Sequence, residues 1–172
     1  AAASVAAETR RHSTNTEAYD HYLRGRHHWR KETVEGFEKA AEHFRSAMTL
    51  DASYAQAYSG LADTYTAQGS AGFLAMREAY PRAREAALRA IELDATLAEA
   101  HASLAGIASE YDWDWATADR HFKRAIELNP NYEPVLRWYS SYLAWMGRHE
   151  EALGIARRAR DLDPASPSAR YN

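Results

Sequence analysis

Histidine is the side chain most often found on transition metals, and the chain has eight histidines in 172 residues. His27 and His28 are adjacent, so on a helix their rings would point about 100° apart. No His-x3-His or Glu-x2-His pair has a third ligand nearby, and a zinc site requires such a closed set. We therefore interpret the histidines as packing or solvated residues and predict no metal site.

The sequence does not indicate other kinds of catalytic chemistry either. The serines and carboxylates form no recurring arrangement of nucleophile, base and orienting group. Gly69 and Gly72 lack the lysine of a phosphate-binding loop. The chain contains no cysteine, which excludes thiolate catalysis and disulfides and fits a reducing cytoplasm. We predict a non-enzymatic protein without cofactors and place it in the cytoplasm, with an exported location left open.

Charge and hydropathy argue against nucleic-acid and membrane partners. The formal net charge is −3, so no excess of positive charge would attract phosphates. Arginines cluster at 77–89 and 157–160, but acidic residues interrupt both clusters. Such segments are typical of solvated helix faces with local ion pairs. No apolar run approaches the roughly 20 residues of a membrane-spanning helix.

The spacing of apolar residues predicts helices throughout. Leu61, Ala62 and Tyr65 would lie on one helix face, and small residues recur at helical spacing in later segments. No segment alternates as a strand does, so the fold class is all-α. Thr14 with Glu17 predicts a capping box, and Asp114 predicts a helix N-cap. Residues 76–80 predict an extra helical turn before Pro81 that projects from the neighbouring helices.

A tripeptide marks the end of successive segments. It reads LDA at 50–52 and 93–95, LNP at 128–130 and LDP at 162–164, at spacings of 43, 35 and 34 residues. An alanine precedes each leucine by three residues. A period of this length indicates stacked supersecondary units that share a core. We predict units at about 17–52, 55–95, 98–130 and 133–164, a linker at 1–13, and the start of a further helix at 167–172.

This pattern resembles the tetratricopeptide repeat. In the fourth unit the matching positions are Leu136, Tyr139, Gly147, Ala152, Ala156, Ala159 and Pro164, and in the third they are His101, Leu104, Ala105, Ala108, Ala118, Phe122, Ala125 and Pro130. The resemblance implies a right-handed α-solenoid of about four stacked helix-turn-helix units. The segments 22–29 (YLRGRHHW), 78–83 (EAYPRA) and 111–115 (YDWDW) look like repeat domains attached to signalling domains in large bacterial regulators.

In this family the first helix of each unit lines a concave groove that binds peptides or helices. The resemblance therefore implies a protein-binding groove made of Arg26, Trp29, Ser59, Asp63, Glu99, Ser103, Arg137, Trp138, Ser141 and Trp145. Aromatic residues and arginine are enriched at such interfaces. Alternatively, Trp138 and Trp145 pack against a helix that would follow the last unit, and Trp29 covers the N-terminal end of the stack. Trp113 and Trp115 are expected away from the groove, at the turn that joins the two helices of the third unit, with Trp115 in the core.

The groove does not match the carboxylate clamp that binds chaperone C-termini in this family. The aligned positions lack the basic and amide residues of that clamp, and Asp63 or Glu99 would repel a carboxylate. We predict a protein-interaction scaffold that binds a peptide or helix as part of a larger bacterial-type regulator. The alternative is a structural spacer or a self-association module. Leu153 and Leu162 on the last predicted helix indicate self-association through the C-terminal end.

Overall fold

The computed structural model describes residues 13–164, which form eight α-helices and contain no strand. The helices are α1 (Thr16–Trp29), α2 (Val34–Leu50), α3 (Ala55–Ser70), α4 (Met76–Leu93), α5 (Ala98–Glu110), α6 (Trp115–Leu128), α7 (Glu133–Trp145) and α8 (His149–Leu162). Three to five residues separate successive helices. Such short connections join antiparallel neighbours. The expected linker before Ser13 and the expected helix at 167–172 lie outside the described residues.

The helices pair as α1 with α2, α3 with α4, α5 with α6 and α7 with α8, and each pair packs on the next. The chain is therefore an all-α solenoid of four helix-turn-helix units. Alanines at the interhelical positions are fully buried, among them Ala40, Ala83, Ala87, Ala118 and Ala125. Small side chains let the helix axes approach closely, and larger residues such as Phe44, Tyr80 and Phe122 fill the remaining space. None of the described helices combines the length and the apolar character needed to cross a membrane.

The first helix begins differently from the prediction. Asn15, not Thr14, caps α1, and its side-chain oxygen accepts hydrogen bonds from the backbone N–H groups of Glu17 and Ala18 at 3.0 and 3.2 Å. The capping box at Thr14 is therefore wrong. Asn15 prevails because its amide nitrogen also donates to the carbonyl oxygen of Leu50, which ties the helix start to the end of α2. The predicted cap at Asp114 is confirmed, since its carboxylate accepts from Thr117 N–H at 3.0 Å.

The longer second unit places its additional residues in helix. α3 and α4 have 16 and 18 residues, against 13 and 14 in the third unit. As predicted, residues 76–80 form an extra turn, and α4 continues through Pro81. Residues 70–78 are mostly exposed, whereas Ala79 and Tyr80 are fully buried. Only the outer part of the extension therefore projects from the stack.

The ring of Phe44 lies between two glycines on neighbouring helices. A Cβ atom at Gly25 of α1 would lie 2.6 Å from the ring, and one at Gly60 of α3 would lie 2.5 Å from it. Both distances are far below van der Waals contact. The absence of a side chain at these two positions therefore allows α1, α2 and α3 to pack around one aromatic ring.

We expect Gly60→Ala to lower the free energy of unfolding by about 1–3 kcal/mol, because the new methyl group overlaps the buried Phe44 ring. Gly154→Ala is the matched control, since a Cβ at that helical position meets no heavy atom within 4 Å. The control should leave stability unchanged or raise it by about 0.5–1 kcal/mol. Urea unfolding followed by circular dichroism measures both. Equal stability of the two variants would contradict the packing described here.

Candidate protein-binding site

A cavity of about 910 Å³ opens at the edge of the solenoid where the first helix of each unit turns into the second. The last residues of all four first helices line it, namely Trp29 of α1, Ser70 of α3, Glu110 of α5 and Trp145 of α7. The cavity is therefore a product of the whole stack and not of one unit. Its volume lies within the range of about 300–1,000 Å³ that is usual for ligand pockets.

The wall of this cavity is strongly aromatic. All five tryptophans of the chain line it: Trp29, Trp113, Trp115, Trp138 and Trp145. Phe37, Phe73 and Met76 extend the apolar surface. We call this set of residues the tryptophan cavity.

Folding leaves several of these large apolar groups in solvent. Trp113 is 69% exposed, Trp145 60%, Phe73 45% and Met76 43%. Exposed tryptophans that gather on one concave surface are characteristic of an interaction site.

Five of the ten predicted groove residues line the tryptophan cavity: Trp29, Arg137, Trp138, Ser141 and Trp145. Trp29 is buried and packs edge to face on Phe37. Trp138 is half-buried against the core of the last two units. These two rings therefore serve packing as well as the cavity wall, whereas Trp145 is largely free of internal contacts.

Trp113 and Trp115 lie at the turn of the third unit, as expected, but they are not separate from the predicted groove tryptophans. The turn between α5 and α6 reaches the same edge as the ends of the other first helices, and this places both rings on the cavity wall. Their rings meet nearly perpendicularly with centroids 5.5 Å apart. Trp115 does pack against the core, as expected. The sequence analysis also missed Phe37, Phe73 and Met76, which lie on second helices or in a turn.

Two residues on the cavity wall adopt a backbone conformation that normally favours glycine. Glu32 has φ of 48° and Trp113 has φ of 58°, and no other non-glycine residue between 13 and 164 has positive φ. Left-handed backbone at a large side chain costs roughly 1–3 kcal/mol and is concentrated at functional sites. Both turns therefore keep a large side chain on the cavity wall at some cost in stability.

Three other predicted residues, Arg26, Asp63 and Ser103, form a largely buried polar cluster with Tyr132, which we call the Asp63 network. The Asp63 carboxylate is fully buried and accepts hydrogen bonds from Ser103 Oγ at 2.8 Å, Tyr132 OH at 2.7 Å and Arg26 Nη1 at 3.2 Å. Ser59 is also buried. The network joins α1, α3 and α5 to the residue that precedes α7. Ser59, Asp63 and Ser103 are therefore inaccessible to a partner in this structure.

The electrostatics of the Asp63 network reflect its burial. Loss of solvent raises the pKa of Asp63 to about 6, although Arg26 and the hydroxyl of Tyr132 favour the ionised carboxylate. The charge of Glu99, the last of the predicted groove residues, raises the same pKa further. Arg26 supplies the compensating positive charge, and its guanidinium also lies 5.0 Å from the ring centre of Trp29. The network therefore connects directly to the cavity wall.

The fourth unit also contacts the first unit at the tryptophan cavity itself. Arg137 Nη2 of α7 lies 3.3 Å from Glu32 Oε1 in the turn after α1, so the fourth unit contacts the first. Arg137 also pairs with Glu133 at 3.6 Å. This bridge and the Asp63 network therefore both link different units of the stack, and the bridge lies on the wall of the tryptophan cavity.

The structure brings together histidines that are distant in sequence. His21 Nδ1 lies 3.1 Å from His43 Nδ1, and His101 Nδ1 lies 3.0 Å from His121 Nδ1. Ring centres are 5.3 Å apart in both pairs, so the two nitrogens lie nearly on the line between the ring centres. That geometry suits an N–H···N hydrogen bond and not two nitrogens converging on one metal. Burial lowers the pKa of His43, and so does the neighbouring His21. In the described part of the chain no three side chains are arranged as metal ligands.

Comparison with known sequences finds transcriptional regulators that are similar to most of this chain. No protein-family model matches the chain. The chain is 26% identical over 148 residues to the transcriptional regulator HilA of Salmonella typhimurium (strain LT2) and to that of Salmonella typhi. Each match covers 86% of this chain and 27% of the relative, so the chain spans about a quarter of the length of these curated relatives.

Solved structures share the fold at low sequence identity. A crystal structure of MamA protein is 22% identical, with a TM-score of 0.53 over 86% of this chain and 74% of that one. TTC0263, a thermophilic TPR protein of Thermus thermophilus, is 18% identical, with a TM-score of 0.61 over 78% and 70% of the two chains. At this level of identity the similarity concerns the fold alone. The fold of the chain is that of a tetratricopeptide repeat (TPR) domain.

Proposed function

We propose that this TPR domain is a non-catalytic protein-interaction module that binds an apolar peptide or helical segment of its partner in the tryptophan cavity. One observation supports the proposal above all others: the five tryptophans of the chain come from three different units and line a single cavity. Tryptophan is the residue most enriched among those that dominate binding energy in protein interfaces.

The energetics favour such binding. Covering exposed apolar surface is worth roughly 25 cal/mol per Å², so a partner that buries a few hundred Å² of the cavity wall gains several kcal/mol. The cavity edges are fixed by helix ends and by the bridge between Glu32 and Arg137. A wall that is already formed loses little conformational entropy on binding, and this raises the affinity.

Internal packing is the competing explanation for the tryptophans. It accounts for Trp29, which is 5% exposed. It does not account for Trp113 and Trp145, which are exposed and contribute little to the core of residues 13–164. We therefore assign binding to these two residues together with Trp138, which is only half-buried on the same wall.

Selection of peptides from a random library displayed on phage tests the proposal. The purified domain should enrich peptides with large aliphatic or aromatic side chains, and a variant with Trp138→Ala and Trp145→Ala should not. Leu23→Ala is the matched control, because Leu23 is 47% exposed on α1 and does not line the cavity. Enrichment of the same peptides by the double variant would contradict the assignment.

We also propose that the domain is the interaction part of a longer transcriptional regulator in the cytoplasm. The similarity to HilA, which is described as a transcriptional regulator, supports this, as does the fact that the chain spans only 27% of HilA. Sequencing the reading frame around the coding region is the test. A DNA-binding domain in the same frame is the expected result, and a frame without one would contradict the proposal.

Self-association is a second candidate function. Leu153 and Leu162 on α8 are 53% and 43% exposed. In a solenoid each unit covers the apolar side of its neighbour, and here α7 packs on α8 while no helix after α8 is among the described residues. A second copy of the domain could supply that cover.

We expect the domain to form dimers as its concentration rises. The variant with Leu153→Lys and Leu162→Lys should stay monomeric, because the lysines place charge on the apolar face of α8. Sedimentation velocity over a range of concentrations measures this. Leu23→Lys, a charge added at another exposed leucine, should still dimerise. A wild-type domain that is monomeric at every concentration would leave α8 without this role.

A further inference from the structure

We infer that the partner segment carries a lysine or arginine beside its apolar side chains and that Glu110 binds this cation. The inference rests on the function proposed for the tryptophan cavity and specifies the chemistry of the partner.

The cavity wall contains three charged residues: Glu32, Glu110 and Arg137. Arg137 and Glu32 form the bridge that joins the fourth unit to the first, so their charges compensate each other. Among residues 13–164 no lysine or arginine lies within ion-pairing distance of Glu110. The uncompensated charge of the wall is therefore negative and belongs to Glu110.

The hydrogen bonds of Glu110 leave half of its carboxylate available. Ser70 Oγ donates to Glu110 Oε2 at 2.5 Å, and the hydroxyl of the buried Tyr80 donates to the same oxygen. The described residues donate no side-chain hydrogen bond to Oε1. The two hydroxyls hold the carboxylate in place on the wall at the end of α5, and Oε1 keeps its lone pairs for a ligand.

Aromatic rings near a carboxylate add to the attraction for a cation. The face of tryptophan is the strongest cation–π acceptor among the side chains, and the interaction grows when the cation is partly desolvated. The same wall already shows this contact internally, since the Arg26 guanidinium lies 5.0 Å from the ring centre of Trp29. A lysine or arginine that enters with apolar neighbours would meet both Glu110 and the indole faces.

The geometry also limits the shape of the segment. Asp63, Ser103 and Tyr132 are buried against one another, so this part of the first helices offers no accessible surface to an extended partner chain. The structure favours a short element that projects into the pocket, such as the end of an amphipathic helix or a loop. Its cation need only reach Glu110 on the cavity wall.

Two synthetic versions of a phage-selected peptide, one with lysine and one with norleucine at the cationic position, test the inference. Calorimetric titration should show at least about tenfold weaker binding of the norleucine peptide to the wild-type domain. Glu110→Gln should weaken the lysine peptide by a similar factor and leave the norleucine peptide unchanged. Glutamine can still accept from Ser70 and Tyr80, so the fold is retained. Glu78 is exposed on α4 and does not line the cavity. Glu78→Gln therefore has the same net charge as Glu110→Gln and is the control.

The possible outcomes separate this inference from the proposed function. Enriched apolar peptides without lysine or arginine, or equal weakening of both peptides by Glu110→Gln, would overturn the role of Glu110 and leave the tryptophan cavity as a binding site. If the library yields no peptide that depends on the cavity, the proposed function fails and this inference fails with it. If Glu78→Gln and Glu110→Gln lose the same affinity for the lysine peptide, the effect comes from overall charge, and this outcome would also overturn the role of Glu110.

Discussion

Replacement of Asp63 by alanine is expected to lower the free energy of unfolding by about 3–5 kcal/mol, because it leaves a largely buried arginine without its counter-charge. The Arg26 side chain is only 19% exposed and that of Asp63 is fully buried. The hydroxyls of Ser103 and Tyr132 would also lose their acceptor. The loss should exceed the effect of any exposed ion pair in the domain.

Asp20→Ala is the matched control for this prediction. Asp20 pairs with Arg24 one turn along α1, and the two side chains are 54% and 60% exposed. Such a pair contributes roughly 0.3–0.5 kcal/mol. Urea unfolding of both variants gives the comparison. If Asp63→Ala lowers the free energy of unfolding as little as Asp20→Ala does, the Asp63 network does not stabilise the packing of the units on one another.

Combined replacement of Trp138 and Trp145 by alanine is expected to weaken binding of a selected apolar peptide by at least about a hundredfold. Each ring is treated as an interface hot spot worth about 2 kcal/mol or more. Trp145 is 60% exposed, so Trp145→Ala alone should change stability by only about 0.5 kcal/mol or less. Trp138 contacts the core, so replacing it with alanine should lower the free energy of unfolding by more than Trp145→Ala does.

The single variant Trp145→Ala therefore separates binding from packing. Reduced peptide affinity at unchanged helicity and melting temperature supports the cavity as a binding site. Unchanged affinity in the folded double variant would contradict the groove hypothesis. A large loss of melting temperature in Trp145→Ala would instead favour internal packing, which the exposure of that ring does not predict.

The helices and their pairing could be predicted from the sequence because they depend on local signals. The tripeptides that end the second helices and the alanines that precede them recur at nearly constant spacing. Apolar residues at helical spacing then define which faces are buried. The cap at Asp114 follows from the residue type at a helix start, whereas Asn15 was missed because its advantage depends on a contact with Leu50.

The residues of the tryptophan cavity could be predicted only in part, because the cavity depends on contacts between units that are distant in sequence. Asp63 and Tyr132 are 69 residues apart, and Glu32 and Arg137 are 105 apart, so no local pattern reveals that they meet. The register of first helices identified Trp29, Trp138 and Trp145 but could not show that Ser59 and Asp63 are closed off. The position of Trp113 depends on a left-handed turn residue, which the sequence did not indicate.

Tryptophan fluorescence during titration with a selected peptide that lacks tryptophan tests the central claim most directly. All five tryptophans line the cavity, so the whole tryptophan emission of the domain reports on that one surface. We predict a saturable shift of the emission to shorter wavelength as Trp113 and Trp145 leave water, with the midpoint equal to the calorimetric Kd. Calorimetric binding of the peptide without any change in emission would place the partner elsewhere and contradict the account.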